Sequence, residues 1–389
     1  MKVGTFMYIA DNIVYIGVDD TTIDLFESQY KVPYGVSYNS YVIMDEKIAV
    51  MDTVDSRKTE KWLNNLSTVL GNKRPDYLIV SHLEPDHAGN IKVLCDMYPD
   101  MKLVGNAKTF QMLPQFFDLD LSNRTVVVKE TDELVLGKHI LQFFMAPMVH
   151  WPEVMVSYEK TTKTLFSADG FGTFGALVQN REWIEEARRY YINIIGKYGP
   201  STLALLGKAA TLDIARICPL HGPVLNEDLG YYIDKYKTWA SYEAEEDGVV
   251  VAFASIHGNT GKAAKKFAEM LKKDGQKHVK VFDLSRDDIS VAVEKAFQYS
   301  KLVLACATYD GGLFPVMEDF INHLKAKSYQ KRTVGFIENG SWAPFAAKKM
   351  SEAFGTFKNI TICENVVSIK STMNADNIIQ MENLSKELS

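Results

Sequence analysis

Seven side chains in four separated segments have the types and spacing to hold metal. After the apolar run Tyr77–Val80 comes Ser81-His82-Leu83-Glu84-Pro85-Asp86-His87, which puts four metal-ligating groups within six residues. Pro85 disfavours helical geometry at Glu84, so the stretch is expected to be an extended loop that turns several side chains towards one point. The plainer reading is a polar turn in which Asp86 caps a helix beginning near Asn90. Three more candidates each follow an apolar run: His150 after Ile140–Phe144, Asp169 after Thr164–Ser167, and His221 after Ile217–Leu220. Singly, His150 or His221 is more often a hydrogen-bonded structural histidine. Together the groups argue for metal. Seven ligands exceed what one tetrahedral ion uses, and a carboxylate such as Asp169 can bridge, so a pair of ions is the economical assignment. Four imidazoles and three carboxylates without a thiolate suit non-haem iron or manganese at least as well as zinc.

A second constellation lies further on. The apolar run Val249–Ala254 leads into Ser255-Ile256-His257-Gly258-Asn259-Thr260, with a helix expected from about Lys262. Small hydroxyl and amide side chains beside the free N–H groups of a helix start can hold a phosphate without a lysine or a metal. Neither a Gly-x-Gly-x-x-Gly nor a Gly-x-x-x-x-Gly-Lys-Ser/Thr motif follows a strand, which disfavours a dinucleotide fold and a P-loop. Two later runs end in similar loops, Thr308-Tyr309-Asp310-Gly311 and Asn339-Gly340-Ser341-Trp342. Their glycines permit close backbone approach, and Tyr309 and Trp342 offer flat faces where open α/β sheets bind ligands. The plainer reading is a set of ordinary turns on a sheet without a cofactor.

These residues resemble a known family. His82-x-Glu84-x-Asp86-His87 is similar to the metallo-β-lactamase-fold signature, with glutamate where hydrolytic zinc enzymes carry histidine. With His150-Trp151-Pro152, Phe166-Ser167-Ala168-Asp169 and Pro219-Leu220-His221-Gly222, it resembles the flavodiiron proteins. The resemblance implies one iron on His82, Glu84 and His150, a second on Asp86, His87 and His221, and Asp169 bridging them. Family members often have Asn where this chain has Ala168. Trp151 and Tyr198 are read as packing residues rather than as parts of the site. The later part of the chain resembles flavodoxin, which implies FMN with its phosphate on Ser255–Thr260 and its ring beside the other two loops.

The elements that would position these groups follow from the apolar patterning. Short β-type runs recur up to Ser167, some separated by only a few turn residues, as at Asp45–Lys47 and Glu159–Lys163, which permits hairpins. Helical patterns intervene at Arg57–Leu70 and Lys108–Phe117, and others follow at Glu182–Tyr198, Thr202–Leu212 and Leu229–Tyr242. The acidic stretch Glu243–Gly248 marks a boundary. Beyond it, runs at Val249–Ala254, Val279–Asp283, Leu302–Ala307, Val334–Ile337 and Ile360–Ile362 alternate with helical segments, the pattern of a doubly wound parallel sheet. The expected fold is a two-domain α/β and α+β chain. Residues 1–247 form an αββα metallo-β-lactamase-like sandwich with a di-iron site, and residues 248–389 a five-stranded flavodoxin-like sheet with FMN.

Composition narrows the function classes. The 389 residues carry 43 Lys and Arg against 49 Asp and Glu, a net charge of −6 that does not favour a nucleic-acid backbone. No apolar run approaches the roughly 20 residues of a membrane span, and Met1–Asn12 lacks the pattern of a secretory signal. The four cysteines are scattered without a Cys-x-x-Cys pair, as expected of reduced thiols in a cytoplasm. The resemblance implies an oxidoreductase that reduces O2 to water, NO to N2O, or both, with electrons relayed through FMN. It also implies a head-to-tail homodimer, or a dimer of dimers, and an external electron donor, rubredoxin or a reduced deazaflavin. The competing reading is a binuclear zinc hydrolase with a flavodoxin-like appendage, against which Glu84 speaks.

Overall fold

Ala49, Val50 and Met51 are all buried, as are Leu78, Ile79, Leu103 and Val104. Strands of this kind need cover on both faces, which a single sheet with one wet side cannot provide. The computed structural model, which describes residues 2–3 and 6–389, resolves the need with layers. The chain divides into two compact units, Met1–Tyr191 with Pro200–Lys237 and Ile192–Gly199 with Thr238–Ser389.

In the first unit one sheet has eight strands in sequential order: β1 (Lys2–Val3), β2 (Phe6–Ala10), β3 (Ile13–Tyr15), β4 (Tyr41–Ile43), β5 (Ala49–Met51), β6 (Tyr77–Ile79), β7 (Lys102–Gly105) and β8 (Thr125–Val127). It is antiparallel as far as β5 and parallel from β5 to β8. A second sheet holds β9 (Glu133–Val135), β10 (Ile140–Met145), β11 (Met155–Glu159), β12 (Thr164–Phe166) and β13 (Arg216–Cys218), of which only the β12–β13 pair is parallel. One core joins the sheets: Ile13, Tyr41, Met51, Ile79 and Val104 of the first meet Leu141, Phe143, Met155, Phe166 and Cys218 of the second. Helix α1 (Thr59–Leu70) links β5 to β6 and buries Trp62, Leu66 and Leu70, one stripe at four-residue spacing. The remaining helices are α2 (Pro85–Ala88), α3 (Ile91–Met97), α4 (Ala107–Met112), α5 (Trp183–Tyr190), α6 (Gly199–Ala209) and α7 (Leu229–Ala240).

Two local expectations change. The stretch after β6 is extended only through Glu84 (φ −58°, ψ 136°), and Pro85 then begins the helical turn α2. Proline suits a first helical position because that N–H would lack a partner anyway. The helix expected over Glu182–Tyr198 is regular only to Tyr190, then loosens into a π turn at Tyr191–Ile195 and a 3-10 turn at Gly196–Tyr198.

The second unit is a parallel sheet of β14 (Glu246–Ala254), β15 (Val279–Asp283), β16 (Tyr299–Tyr309), β17 (Arg332–Asn339) and β18 (Ile360–Ile369). The spatial order is β15-β14-β16-β17-β18, with Gly312–Leu313 folded back on the end of β16. β15 lies on one side of β14 and β16 on the other, so the order reverses beside β14. That switch point is where doubly wound sheets open a crevice. Its helices are α8 (Asn259–Lys273), α9 (Ile289–Gln298), α10 (Pro315–Ala326), α11 (Ala346–Phe354) and α12 (Ala375–Glu387). No helix among the described residues is long and apolar enough to cross a membrane.

Candidate functional site

Strands β6, β10, β12 and β13 each release a ligand-bearing loop, and the structure brings all seven predicted groups together in two sets: His82, Glu84, His150 and Asp169, and Asp86, His87 and His221. His82 Nε2 lies 3.3 Å from Glu84 Oε2, and His150 Nε2 lies 3.0 Å from the same oxygen. His87 Nε2 and His221 Nε2 are each 3.2 Å from Asp86 Oδ2. Asp169 stands between the sets. Its Oδ2 is 3.4 Å from His82 and 3.2 Å from His150, while its Oδ1 is 3.4 Å from His87 and 3.9 Å from His221.

The imidazoles are aimed from behind. His82 Nδ1–H donates to Glu153 Oε1 at 2.7 Å, and His221 Nδ1–H donates to the Ser37 carbonyl at 2.8 Å, which leaves both Nε2 lone pairs facing the cluster. Glu153 is held in turn by Leu83 N–H at 2.9 Å. Burial disfavours charge on His82, His87 and His150, but the neighbouring carboxylates outweigh it: His82 and His87 move above their ordinary range and His150 rises to about 9. Burial likewise opposes ionisation of Glu84 and Asp169, and the imidazoles outweigh it and hold both below the usual carboxylate range. The carboxylates are thus poised to stay anionic against positive charge.

A test of fit comes from polar atoms without partners. Buried carboxylate oxygens in folded proteins are nearly always hydrogen-bonded. All four oxygens of Asp86 and Asp169 are buried and lack a donor, and His87 Nε2 faces His221 Nε2 at 3.0 Å. Two imidazole nitrogens in close approach and four bare oxygens around one space suit a pair of cations.

Tyr190, not Tyr198, is the tyrosine beside the cluster. Its buried ring lies 5.4 Å from that of His221 and packs on Gly172, where a Cβ would come within 3.0 Å of it. Trp151 sets its ring edge-on to His82 at 5.2 Å. Ala168 has φ +49°, a left-handed conformation that Asn adopts more readily than Ala. That conformation accounts for the Asn expected from the family pattern.

In the second unit a cavity of about 710 Å³ opens at the carboxyl ends of β14, β16 and β17, a size suited to a cofactor. Of the predicted residues, Ile256, His257, Asn259, Thr260, Thr308, Tyr309, Asp310, Gly311, Asn339, Gly340, Ser341 and Trp342 line it. Ser255 and Gly258 do not line it; Gly258 N–H donates to Ser255 Oγ at 3.1 Å and Gly258 takes φ +89°. Helix α8 starts here without a side-chain cap, so its first N–H groups are free for an anion. Thr308 Oγ1 instead caps α11, accepting from Phe345 N–H at 2.9 Å. Ser371, which the sequence reading passed over, also lines the cavity and ties it together, donating its N–H to Asn339 Oδ1 at 3.0 Å.

Comparison with known proteins agrees with both halves. The profile of the ODP family beta lactamase matches residues 36–222, and that of a flavodoxin domain matches residues 250–359. The anaerobic nitric oxide reductase flavorubredoxin of Klebsiella pneumoniae is 26% identical over 357 residues, covering 88% of this chain and 73% of that one. The rubredoxin oxygen:oxidoreductase from Desulfovibrio gigas superposes with a TM-score of 0.90 at 24% identity over 99% of this chain and 98% of that one. A variant of the flavo di-iron protein from Thermotoga maritima gives 0.88 at 24% identity over 99% of each chain. With an ODP-type β-lactamase-like unit ahead of a flavodoxin domain in one chain, the protein belongs to the flavodiiron family.

Proposed function

We propose that this chain is an oxidoreductase that reduces O2 to water, NO to N2O, or both, at a di-iron centre fed by FMN. The observation that carries the reading is the division of Asp169, whose Oδ2 faces His82 and His150 and whose Oδ1 faces His87 and His221. On this reading His82, Glu84 and His150 would hold one iron and Asp86, His87 and His221 the other, with Asp169 shared between the two sets. Paired irons would supply redox chemistry on a diatomic molecule, and FMN would supply stored electrons.

The chain's own residues have definite tasks. Glu153 and the Ser37 carbonyl fix the tautomers of His82 and His221. Trp151 and Tyr190 pack on those two imidazoles and limit ring movement. At the other site the free N–H groups at the start of α8, with Asn259 and Thr260, would hold the flavin phosphate, and Tyr309 and Trp342 would flank the ring. Electrons come from an external donor, rubredoxin or a reduced deazaflavin, and the working form is a cytoplasmic head-to-tail homodimer or dimer of dimers.

Anaerobic purification followed by metal and flavin analysis, reduction, and parallel addition of O2 and NO tests the proposal. Two irons and one FMN per chain are expected, with reoxidation of the flavin by at least one gas and loss of turnover per site on dilution to monomer. Zinc in place of iron, with a colourless protein, would overturn it in favour of a hydrolase.

A further inference from the structure

Helix α8 leaves the wall of the flavin cavity and carries an unusual distribution of charge. Its buried side is Ala263, Ala264, Phe267, Ala268 and Leu271. At 3.6 residues per turn, Lys262, Lys265, Lys266, Lys272 and Lys273 fall within an arc about 120° wide on the other side, shared only with Glu269. Lys277 and Lys280 extend the same basic segment into the edge strand β15. All seven lysines are exposed.

Among the described residues, none of the seven forms a salt bridge. Several exposed lysines elsewhere are paired, as in Lys47–Asp76, Lys92–Asp96, Lys138–Asp11 and Lys160–Glu133. Lys272 and Lys273 are explained by stability, because positive charge in a last turn complements the helix dipole. Lys262 is not. It sits in the first turn, against the dipole, and repels Lys266 one turn on. An uncompensated ridge about 17 Å long from Lys262 to Lys273, in a chain of net charge −6, is a local feature that the fold does not need.

We infer that the α8 ridge is the docking surface for an acidic electron-carrier protein. Three observations select this occupant. Complementary charge steers encounter and fixes orientation. The ridge begins four residues after Gly258, at the loop that walls the flavin cavity, so a carrier held there stands beside the electron entry point. The acidic remainder of the chain repels a nucleic acid, and the exposed apolar residues Ile256, Tyr309 and Trp342 line the cavity and not the ridge, which leaves the ridge without a lipid-inserting wedge. The inference rests on the proposed flavin-relayed reaction and adds where its donor binds.

The test is stopped-flow reduction of the flavin in the holoprotein by an acidic rubredoxin and, in parallel, by photoreduced 5-deazariboflavin, which is uncharged. Wild-type reduction by rubredoxin is expected to fall about tenfold or more between about 0.02 and about 0.3 M salt. Lys265→Glu with Lys266→Glu, Lys272→Glu and Lys273→Glu should slow it about tenfold at low salt and abolish the salt dependence, with the deazariboflavin rate unchanged. The milder pair Lys265→Gln and Lys266→Gln should slow it about threefold. An unchanged rate and salt slope in the reversed protein would overturn the inference, as would a wild-type rate indifferent to salt. So would equal slowing of both donors in both variants. Retention of anionic vesicles or duplex DNA by the ridge, with carrier reduction unaffected by the substitutions, would reassign it. Gas consumption driven by deazariboflavin reports on the proposed reaction separately: its absence would sink that reading whatever the ridge does.

Discussion

The metal cluster and the flavin cavity lie on strand ends of the same general kind, yet they balance their polar groups differently. Around Asp169 the ligands other than the half-buried Glu84 are buried side chains, and four carboxylate oxygens have no donor. Around the flavin cavity the loops satisfy one another: Thr308 caps α11, Asn339 and Ser371 exchange hydrogen bonds, and Trp342 is 91% exposed. The first site is electrostatically unfinished without cations. The second is complete as protein and only lined for a guest. Losing metal should therefore loosen the first unit, whereas losing flavin should leave the second folded.

The sharpest way to break that contrast is at Asp169. Asp169→Asn should drop metal content from two ions to below one and gas reduction by at least about a hundredfold, read by metal analysis and turnover. Chelation of the wild-type protein should lower its melting temperature by about 10 °C. A flavin-stripped protein that melts earlier than a metal-stripped one would reverse the comparison. Next in size is Glu153→Gln, which weakens the aim of His82 and should cost about 10- to 100-fold in metal affinity by competition with a chelator, with FMN binding unaffected. Trp342→Ala probes the open site: FMN affinity by fluorescence titration should fall about tenfold with metal content unchanged.

The smallest effect is expected at a buried carboxylate of the same unit that has all its donors. Glu159, 0% exposed, accepts from Thr161 N–H at 2.9 Å and Thr162 N–H at 2.7 Å. Burial pushes its pKa up, but the Thr162 hydroxyl and these backbone donors outweigh it and the net shift is downward. Its ionised form therefore stabilises the fold above the unfolded value near 4.3, and that contribution is lost as pH falls through the lower folded value. Glu159→Gln should cost about 1–3 kcal/mol near neutrality by urea denaturation, with the difference from wild type closing below about pH 4 and metal content intact.

Much of the architecture was legible in the linear chain, and the omissions have identifiable causes. Apolar runs ending in His82, His150, Asp169 and His221 are local signals, because period and turn chemistry lie within a few residues of each other. The strand Lys102–Gly105 escaped notice because its apolar part is only two residues long, and in a parallel sheet its stability comes from the flanking strands. Glu153 reads as a turn residue after Pro152; only folding sets its carboxylate against an imidazole 71 positions earlier. Tyr190 reads as one packing residue on its helix, and only folding sets its ring against that of His221.

The sequence by itself determined which chemistry was possible: four imidazoles and three carboxylates without thiolates, a small-residue loop opening a helix, and a basic helix face. Those properties reside in residue types and short spacings. The tertiary structure decided which Asp169 oxygen meets which histidine, which groups hold the ligands from behind, and that the lysines of α8 form no salt bridge. Such facts depend on distances between segments far apart in the chain, which are set by packing two sheets over one core and not by any local preference.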